Sequence, residues 1–362
     1  MVSYKKKLQE EMTMSFKNIR QLPTPEWIRE ETGLSDELKK IKKENDKQLK
    51  DIFEGKDSRF LVIVGPCSAD DEDAVCDYMN RLSKVKEQVK DTLFIVPRVY
   101  TGKPRTTGTG YKGMMHQPNP DAAPNMVEGL YAIRHLYTRV ISETGMPVAD
   151  EMLYPSNLPY VSDILSYIAV GARSVENQQH RLTSSGIDCP VGMKNPMSGD
   201  LSVMFNAITA AQSPHDYIYN GFEVLTSGNK LTHAIMRGSV NKHGNHLQNY
   251  HYEDLMLAAD MYDEFGCENP AVIVDANHSN SMKNHLEQPR IIRDILHSMK
   301  YSQRLNSLVK GVMIESYIEG GNQKAVAGEE HIYGKSITDP CLSFEDTEKL
   351  LFEMSERISA IR

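Results

Sequence analysis

A (β/α)8 barrel is the fold class this sequence predicts: an α/β chain with an N-terminal helical arm and one inserted β-hairpin. Three observations lead there. From residue 59 onward, eight short β-branched apolar runs alternate with longer amphipathic stretches. Those runs are apolar throughout rather than every second residue, as strands covered on both faces must be. A chain of 362 residues, 40% hydrophobic and 25% charged, is also long enough to bury one large barrel core.

The elements follow in order. Residues 1–58 are polar and charged. Within them Glu37–Glu44 continues toward Leu49 and Ile52 with helical spacing, which predicts one amphipathic helix. This arm reads either as a solvated helix or as a subunit contact. Residues 59–362 then make the barrel. Strands are expected at Phe60–Val64, Leu93–Val99, Pro147–Leu153, Tyr167–Ala172, Pro190–Lys194, His233–Gly238, Ala271–Asn277 and Val309–Ser316. Helices are expected at Asp73–Lys90, Met126–Glu143, Leu201–Ala211, Tyr252–Phe265 and Arg290–Met299. A last one, Ser343–Ile361, starts with Ser343 as cap and Asp346 as its N3 carboxylate. Between units five and six, Tyr217–Tyr219 and Phe222–Leu225 flank Asn220-Gly221, a strong hairpin signal, so a hairpin is placed at about 215–227.

Charge and cysteine usage exclude several classes. The net charge is −8, which argues against non-specific binding to nucleic acid or anionic membranes. No apolar run approaches the roughly 20 residues that span a bilayer. Lys5-Lys6-Lys7 leads into Leu8-Gln9-Glu10-Glu11 rather than an apolar stretch, so no secretory signal is expected. The five cysteines are scattered and odd in number, which fits a reduced, cytoplasmic protein.

Chemistry in such a barrel sits at the C-terminal ends of the strands. Reading past each apolar run gives two groups. Arg98, Lys103, Arg105, Arg173, Lys194 and Arg237 are six cations around one mouth. Any one of them could be answered by a nearby carboxylate, but six in phase with eight strands point to anionic substrates, phosphate or carboxylate. The second group is Cys67, His278 and Glu315, with Asp339 on the loop after strand eight. Thiolate, imidazole and two carboxylates make a mixed set for one divalent metal ion, whether Mn, Fe, Co or Zn. Glu151, at the end of strand three, is the candidate base for activating a water.

With those residues in hand, a family resemblance can be stated. Gly65-Pro66-Cys67-Ser68, Lys103-Pro104-Arg105-Thr106-Thr107, Gly171-Ala172-Arg173, His180-Arg181, Pro190–Asn195, Arg237-Gly238 and Tyr333-Gly334-Lys335-Ser336-Ile337-Thr338-Asp339 resemble the type I 3-deoxy-D-arabino-heptulosonate 7-phosphate (DAHP) synthases, of the phenylalanine/tyrosine/tryptophan-type branch. The similarity runs from about residue 58 to the C-terminus. It implies a metal-dependent transferase on a (β/α)8 barrel that condenses phosphoenolpyruvate with erythrose 4-phosphate, the first step of the shikimate pathway. It implies metal ligation by Cys67, His278, Glu315 and Asp339. Phosphoenolpyruvate contacts fall on Arg98, Lys103, Arg173, Lys194 and Arg237, and erythrose 4-phosphate contacts on Lys103, Arg105 and Thr106. Lys103 is placed to protonate the aldehyde oxygen, and a homodimer or homotetramer is expected.

Departures from the family pattern exist. Thr107 is followed by Gly108-Thr109-Gly110-Tyr111-Lys112-Gly113, one residue longer than the family's segment, and strand seven carries Asp275-Ala276-Asn277-His278-Ser279-Asn280. The hairpin is shorter than in feedback-inhibited relatives, so weak or absent inhibition by aromatic amino acids is expected. Three rival readings remain: a 3-deoxy-octulosonate 8-phosphate synthase-like condensation, a Schiff-base aldolase using Lys194, and a non-catalytic metabolite-binding barrel.

Overall fold

The computed structural model describes residues 16–103, 105, 110–119, 122–324 and 331–362. After two arm helices, α1 (Pro25–Glu31) and α2 (Asp36–Phe53), come β1 (Phe60–Gly65), α3 (Glu72–Val89), β2 (Leu93–Pro97), α4 (Met126–Thr144), β3 (Ala149–Glu151) and β4 (Tyr167–Val170). Then follow α5 (Gln178–Ser184), β5 (Val191–Lys194), α6 (Leu201–Gln212), the hairpin strands β6 (Asp216–Tyr219) and β7 (Phe222–Leu225), and β8 (His233–Met236). The chain continues through the short pair β9 (Ser239–Val240) and β10 (His246–Leu247), then α7 (Tyr252–Phe265), β11 (Val272–Asp275), α8 (Gln288–Tyr301), α9 (Gln303–Leu308), β12 (Val309–Glu315), β13 (Glu319–Asn322), β14 (Lys335–Ser336) and α10 (Phe344–Ile361). Unit three lacks an α-helix between β3 and β4 and carries the 3-10 turn Pro155–Tyr160 instead. Pro159 explains this, because it removes a backbone donor that a longer helix would need.

Eight parallel strands form one sheet in the order β2-β1-β12-β11-β8-β5-β4-β3. A parallel bridge between Arg98 and Ala149, with the Val99 N–H donating to the Ala149 carbonyl at 2.9 Å, joins the two ends and closes the barrel. The pleat sorts side chains into two clusters. Leu61, Ile63, Val96, Tyr167, Ala169, Ile235, Ile273 and Met313 fill the interior, while Phe60, Val62, Val64 and their counterparts pack under the helices. At Gly192 a Cβ would stand 2.3 Å from Ile235 Cδ1 and 2.5 Å from the Tyr167 hydroxyl, so glycine there makes room for two larger interior side chains.

The arm is more than the solvated helix that is one of the two expectations for it. Leu49, Ile52 and Phe53 of α2 belong to the interior cluster and close the N-terminal end of the barrel. The Phe53 ring lies 4.3 Å from the ring of His233 and 6.4 Å from that of Tyr167. Burial pulls His233 down to about 4, so it is neutral. Its Nδ1 donates to the Leu231 carbonyl at 2.9 Å and its Nε2 accepts from the Tyr167 hydroxyl at 2.8 Å.

The hairpin forms where Asn220-Gly221 predicts it, with φ of 51° and 82° at the two turn residues. Its aromatics do not all pack inward. Tyr217 and Tyr219 are half-buried, but Phe222 is exposed. A groove of about 910 Å³ lies between the hairpin and the polar side of α2, lined among others by Lys47, Leu158, Tyr217 and Phe222. No helix among the described residues is long and apolar enough to cross a membrane.

Phe53→Ala tests the role of the arm. A plug that fills the barrel floor should lose about 3–5 kcal/mol on truncation. Urea unfolding followed by circular dichroism reads it. A change within about 0.5 kcal/mol, the range of a surface substitution, would return α2 to the status of a solvated helix.

Candidate active site at the C-terminal rim

Arg98 leaves β2 at the C-terminal rim, directly across β1 from Glu315, the last residue of β12. Its guanidinium donates to the Glu315 carboxylate at 2.9 Å and to the Pro66 carbonyl, and stacks 3.7 Å over the Tyr100 ring. Both charges are buried. Burial pushes the Glu315 carboxyl up, but Arg98, with His278 and Lys103, holds it below its ordinary value. Burial alone would lower Arg98, and Glu315 overrides that, so the guanidinium is held above its ordinary value. The other carboxylate oxygen of Glu315 accepts from Asn277 Nδ2 at 2.6 Å.

A thiol and a second carboxylate converge on Glu315. Ligand atoms of Cys67, Glu315 and Asp339 lie within 4.8 Å of one another. Cys67 Sγ is 3.7 Å from Asp339 Oδ2 and receives the Lys103 ammonium at 3.0 Å. Burial and Glu315 raise the Cys67 thiol, and Lys103 opposes them. His278 approaches from the β11 side, with Nε2 3.8 Å from Glu315 Oε1. Its backbone is left-handed, φ 49°, a conformation a non-glycine residue holds only when its surroundings impose it. Its Nδ1 stands 2.8 Å from Asp275 Oδ2, which leaves Nε2 as the nitrogen facing the cluster. Burial would raise Asp275, yet His278, Lys194 and Arg237 together hold it well below the usual carboxylate range. The converging thiol and two carboxylates, with the His278 imidazole beside rather than within the group, have the donor types that suit a divalent transition metal.

The six cations do not behave alike. Arg98 is committed to Glu315. Lys194 is buried between Glu151 and Asp275, 3.7 Å from each carboxylate. Lys103 faces the Cys67 sulfur. The expectation that all six await an outside anion is therefore corrected for these, because the fold supplies counter-ions or a thiol. The other three differ. Arg237 is 6% exposed, yet among the described residues its guanidinium hydrogen-bonds only to the Met197 sulfur, at 3.1 Å. Burial pulls it below its ordinary value; Asp275 opposes this and Arg173 adds to it. Arg173 and Arg105 have no side-chain hydrogen bond or ion pair among the described residues; Arg105 lies half-buried in the loop after Lys103, and Arg173 is exposed. Thr106 lies outside the described residues.

Sequence reading passed over several side chains that hold this rim. Asp275 braces His278, and Asn277 braces Glu315. Gln288 binds the Glu315 peptide on both sides, its amide nitrogen donating to the carbonyl at 3.0 Å and its oxygen accepting from the N–H at 2.9 Å. Cys341 Sγ accepts from the Cys67 N–H at 3.4 Å. Asp150, driven up to about 6 by burial, accepts from the Thr101 N–H at 3.1 Å and the Thr101 hydroxyl at 2.7 Å, anchoring the start of the Lys103 loop. Only Asp275 had a local signal, its i,i+3 spacing to His278.

A closed parallel barrel with a thiol–carboxylate cluster that could hold a metal, and with arginines that have no ion-pair partner among the described residues at the same rim, defines a class: an α/β barrel with a candidate anion-binding rim. Comparison with known proteins narrows it. The family model for the DAHP synthetase I family matches residues 37–352. A phospho-2-dehydro-3-deoxyheptonate aldolase of Haemophilus influenzae is 35% identical over 349 residues, 95% of this chain and 93% of that one. A Trp-sensitive form from Enterobacter agglomerans is 37% identical over 318 residues, 86% of this chain and 88% of its own. A Phe-sensitive form from Escherichia coli is 37% identical over 322 residues, 87% and 88% of the two chains. The solved structure of the Francisella tularensis SCHU S4 phospho-2-dehydro-3-deoxyheptonate aldolase superposes with a TM-score of 0.88 at 30% identity, over 96% of this chain and 100% of that one. This chain belongs to the DAHP synthetase I family.

The Arg98–Glu315 pair carries a stability prediction. Arg98→Met leaves a buried carboxylate without its cation and should cost about 3–5 kcal/mol. Replacing both, Arg98→Met with Glu315→Leu, should recover most of that loss in urea unfolding. A double variant as unstable as the single one would mean the two charges are not energetically coupled.

Proposed function

We propose that this chain condenses phosphoenolpyruvate with erythrose 4-phosphate and water, giving 3-deoxy-D-arabino-heptulosonate 7-phosphate and inorganic phosphate, and that it needs one divalent metal ion to do so. The observation that carries this reading is Arg237, a nearly buried guanidinium with no carboxylate partner among the described residues, on the same rim as the Cys67–Glu315–Asp339 cluster. A buried cation whose nearby carboxylate, Asp275, is not in ion-pair contact is expensive unless a ligand pairs with it. Family membership supports the same reaction.

Cys67, His278, Glu315 and Asp339 are the residues that would hold the metal; when bound, such an ion acts as a Lewis acid on the aldehyde oxygen of erythrose 4-phosphate. The protein's own groups do the rest. Arg173 and Arg237 grip phosphoenolpyruvate with their free guanidinium forks, while Lys194, itself flanked by carboxylates, adds a point charge beside it. Arg105, with Thr106, takes the phosphate of the aldehyde substrate. This holds C3 of phosphoenolpyruvate against the aldehyde carbon, a proximity effect as much as an electrostatic one. Lys103 donates a proton to the aldehyde oxygen as it becomes a hydroxyl. Glu151, beside Lys194, is the base for the water that adds at C2. The two carboxylates around Lys194 weigh against a Schiff-base aldolase, because its ammonium already has counter-ions.

A coupled assay with both phosphorylated substrates, with and without a chelator, tests the proposal. Activity is expected only with metal, and Cys67→Ala should lose both activity and metal uptake while keeping its circular dichroism spectrum. Full activity of Cys67→Ala after chelator treatment would overturn the metal assignment. Arg173→Ala should mainly raise the KM for phosphoenolpyruvate and Arg105→Ala that for erythrose 4-phosphate. Each loss of a charge-assisted contact should cost about 1.5–3 kcal/mol, roughly 10- to 150-fold. An Arg105→Ala enzyme altered only toward phosphoenolpyruvate would put the two phosphate sites the wrong way round.

A further inference from the structure

The opposite end of the barrel holds a second unusual amine. A cavity of about 540 Å³ opens between the last turn of α2, α7, α9 and the start of β12, where Glu54, Gly55, Tyr262, Asp263, Arg304 and Lys310 line it. Its acids are already matched. Glu54 pairs with Lys50 at 3.7 Å and with Lys56, and Asp263 pairs with Arg304 at 2.6 Å. Lys310, half-buried near the start of β12, has no hydrogen bond from its amine and no ion pair among the described residues. Its Nζ lies 3.9 Å from where a Cβ on Gly55 would stand, so glycine leaves that side open.

A further cation stands close by. Arg362 donates to the carbonyls of Ser58 and Val309 and to Asn306 Oδ1, contacts that hold its guanidinium in place, and Asp57 offsets part of its charge. Burial lowers the Lys310 ammonium below its ordinary value, and Arg362 lowers it further. A larger share of this amine is therefore free base, with a lone pair to give, than on a surface lysine paired with a carboxylate.

We propose that Lys310 is a modification site, whose amine, facing a cavity that admits a small reagent, is acylated by acyl phosphates. The nitrogen lone pair attacks the acyl carbon. The bond from that carbon to the bridging oxygen breaks, and its electron pair leaves on inorganic phosphate. The nitrogen gives up one proton to solvent and a neutral amide remains. The acyl phosphate is itself an anion, drawn toward the Lys310 amine on the cavity wall, which has no ion pair among the described residues. The product relieves the repulsion between Lys310 and Arg362. Nothing in this depends on the condensation activity.

The test uses the full chain with acetyl phosphate at neutral pH and follows acetylation of each lysine by peptide mass spectrometry. In the folded protein Lys310 should be acetylated about tenfold faster than exposed, carboxylate-paired lysines such as Lys39 and Lys349. In urea-unfolded protein that lead should vanish, because cavity and neighbour are gone. A folded-state rate at or below that of the exposed lysines overturns the proposal. A lead that persists after unfolding also overturns it, since the reactivity would then belong to the local sequence.

Discussion

The buried ion pair between Arg98 and Glu315 is the constraint on which the rest of the rim depends. Neither charge reaches water, so each is tolerable only in the other's company. Arg98 must therefore cross over the end of β1, and in doing so it binds the Pro66 carbonyl, the residue before Cys67. Glu315 must stay at the end of β12, where Gln288 clamps its peptide and Asn277 its second oxygen. The thiol, the imidazole and the second carboxylate are then assembled around a carboxylate that cannot move without leaving a bare charge.

Around that fixed pair the rim divides its cations by whether the fold has answered them. Arg98, Lys194 and Lys103 have partners and hold shape. Arg105, Arg173 and Arg237 have no anionic partner among the described residues, and Arg237 is nearly out of solvent as well. A protein that buries a guanidinium against a thioether sulfur gains nothing in stability from it. That expense is offset only if an anion binds there.

The two ends of the barrel solve opposite problems. The C-terminal rim keeps charges open to ligand. The N-terminal end must be shut, and the Phe53–His233–Tyr167 contact shuts it with a neutral histidine whose two nitrogens are both satisfied. The plug comes from α2, outside the eight repeating units, so the arm contributes to the core of the barrel it precedes.

The sequence by itself determined the eight strands, most of the helices and the Asn220-Gly221 hairpin, because apolar period and turn chemistry are local properties of the chain. It also determined which residue types stand at strand ends, and so which side chains share a rim. Strand three was drawn too long, as Pro147–Leu153 against Ala149–Glu151, since an apolar run does not say how many of its residues find a partner strand. Only the tertiary structure decided which cations are free. Arg98 and Arg237 read identically in sequence, each an arginine after an apolar run. One faces Glu315, 217 residues further along, and the other a methionine sulfur. It likewise decided that Asp275 braces His278 and that α2 plugs the barrel floor. Pairing a buried charge depends on which strands are neighbours and on the direction a side chain leaves its strand, and neither is written in the residues that flank it.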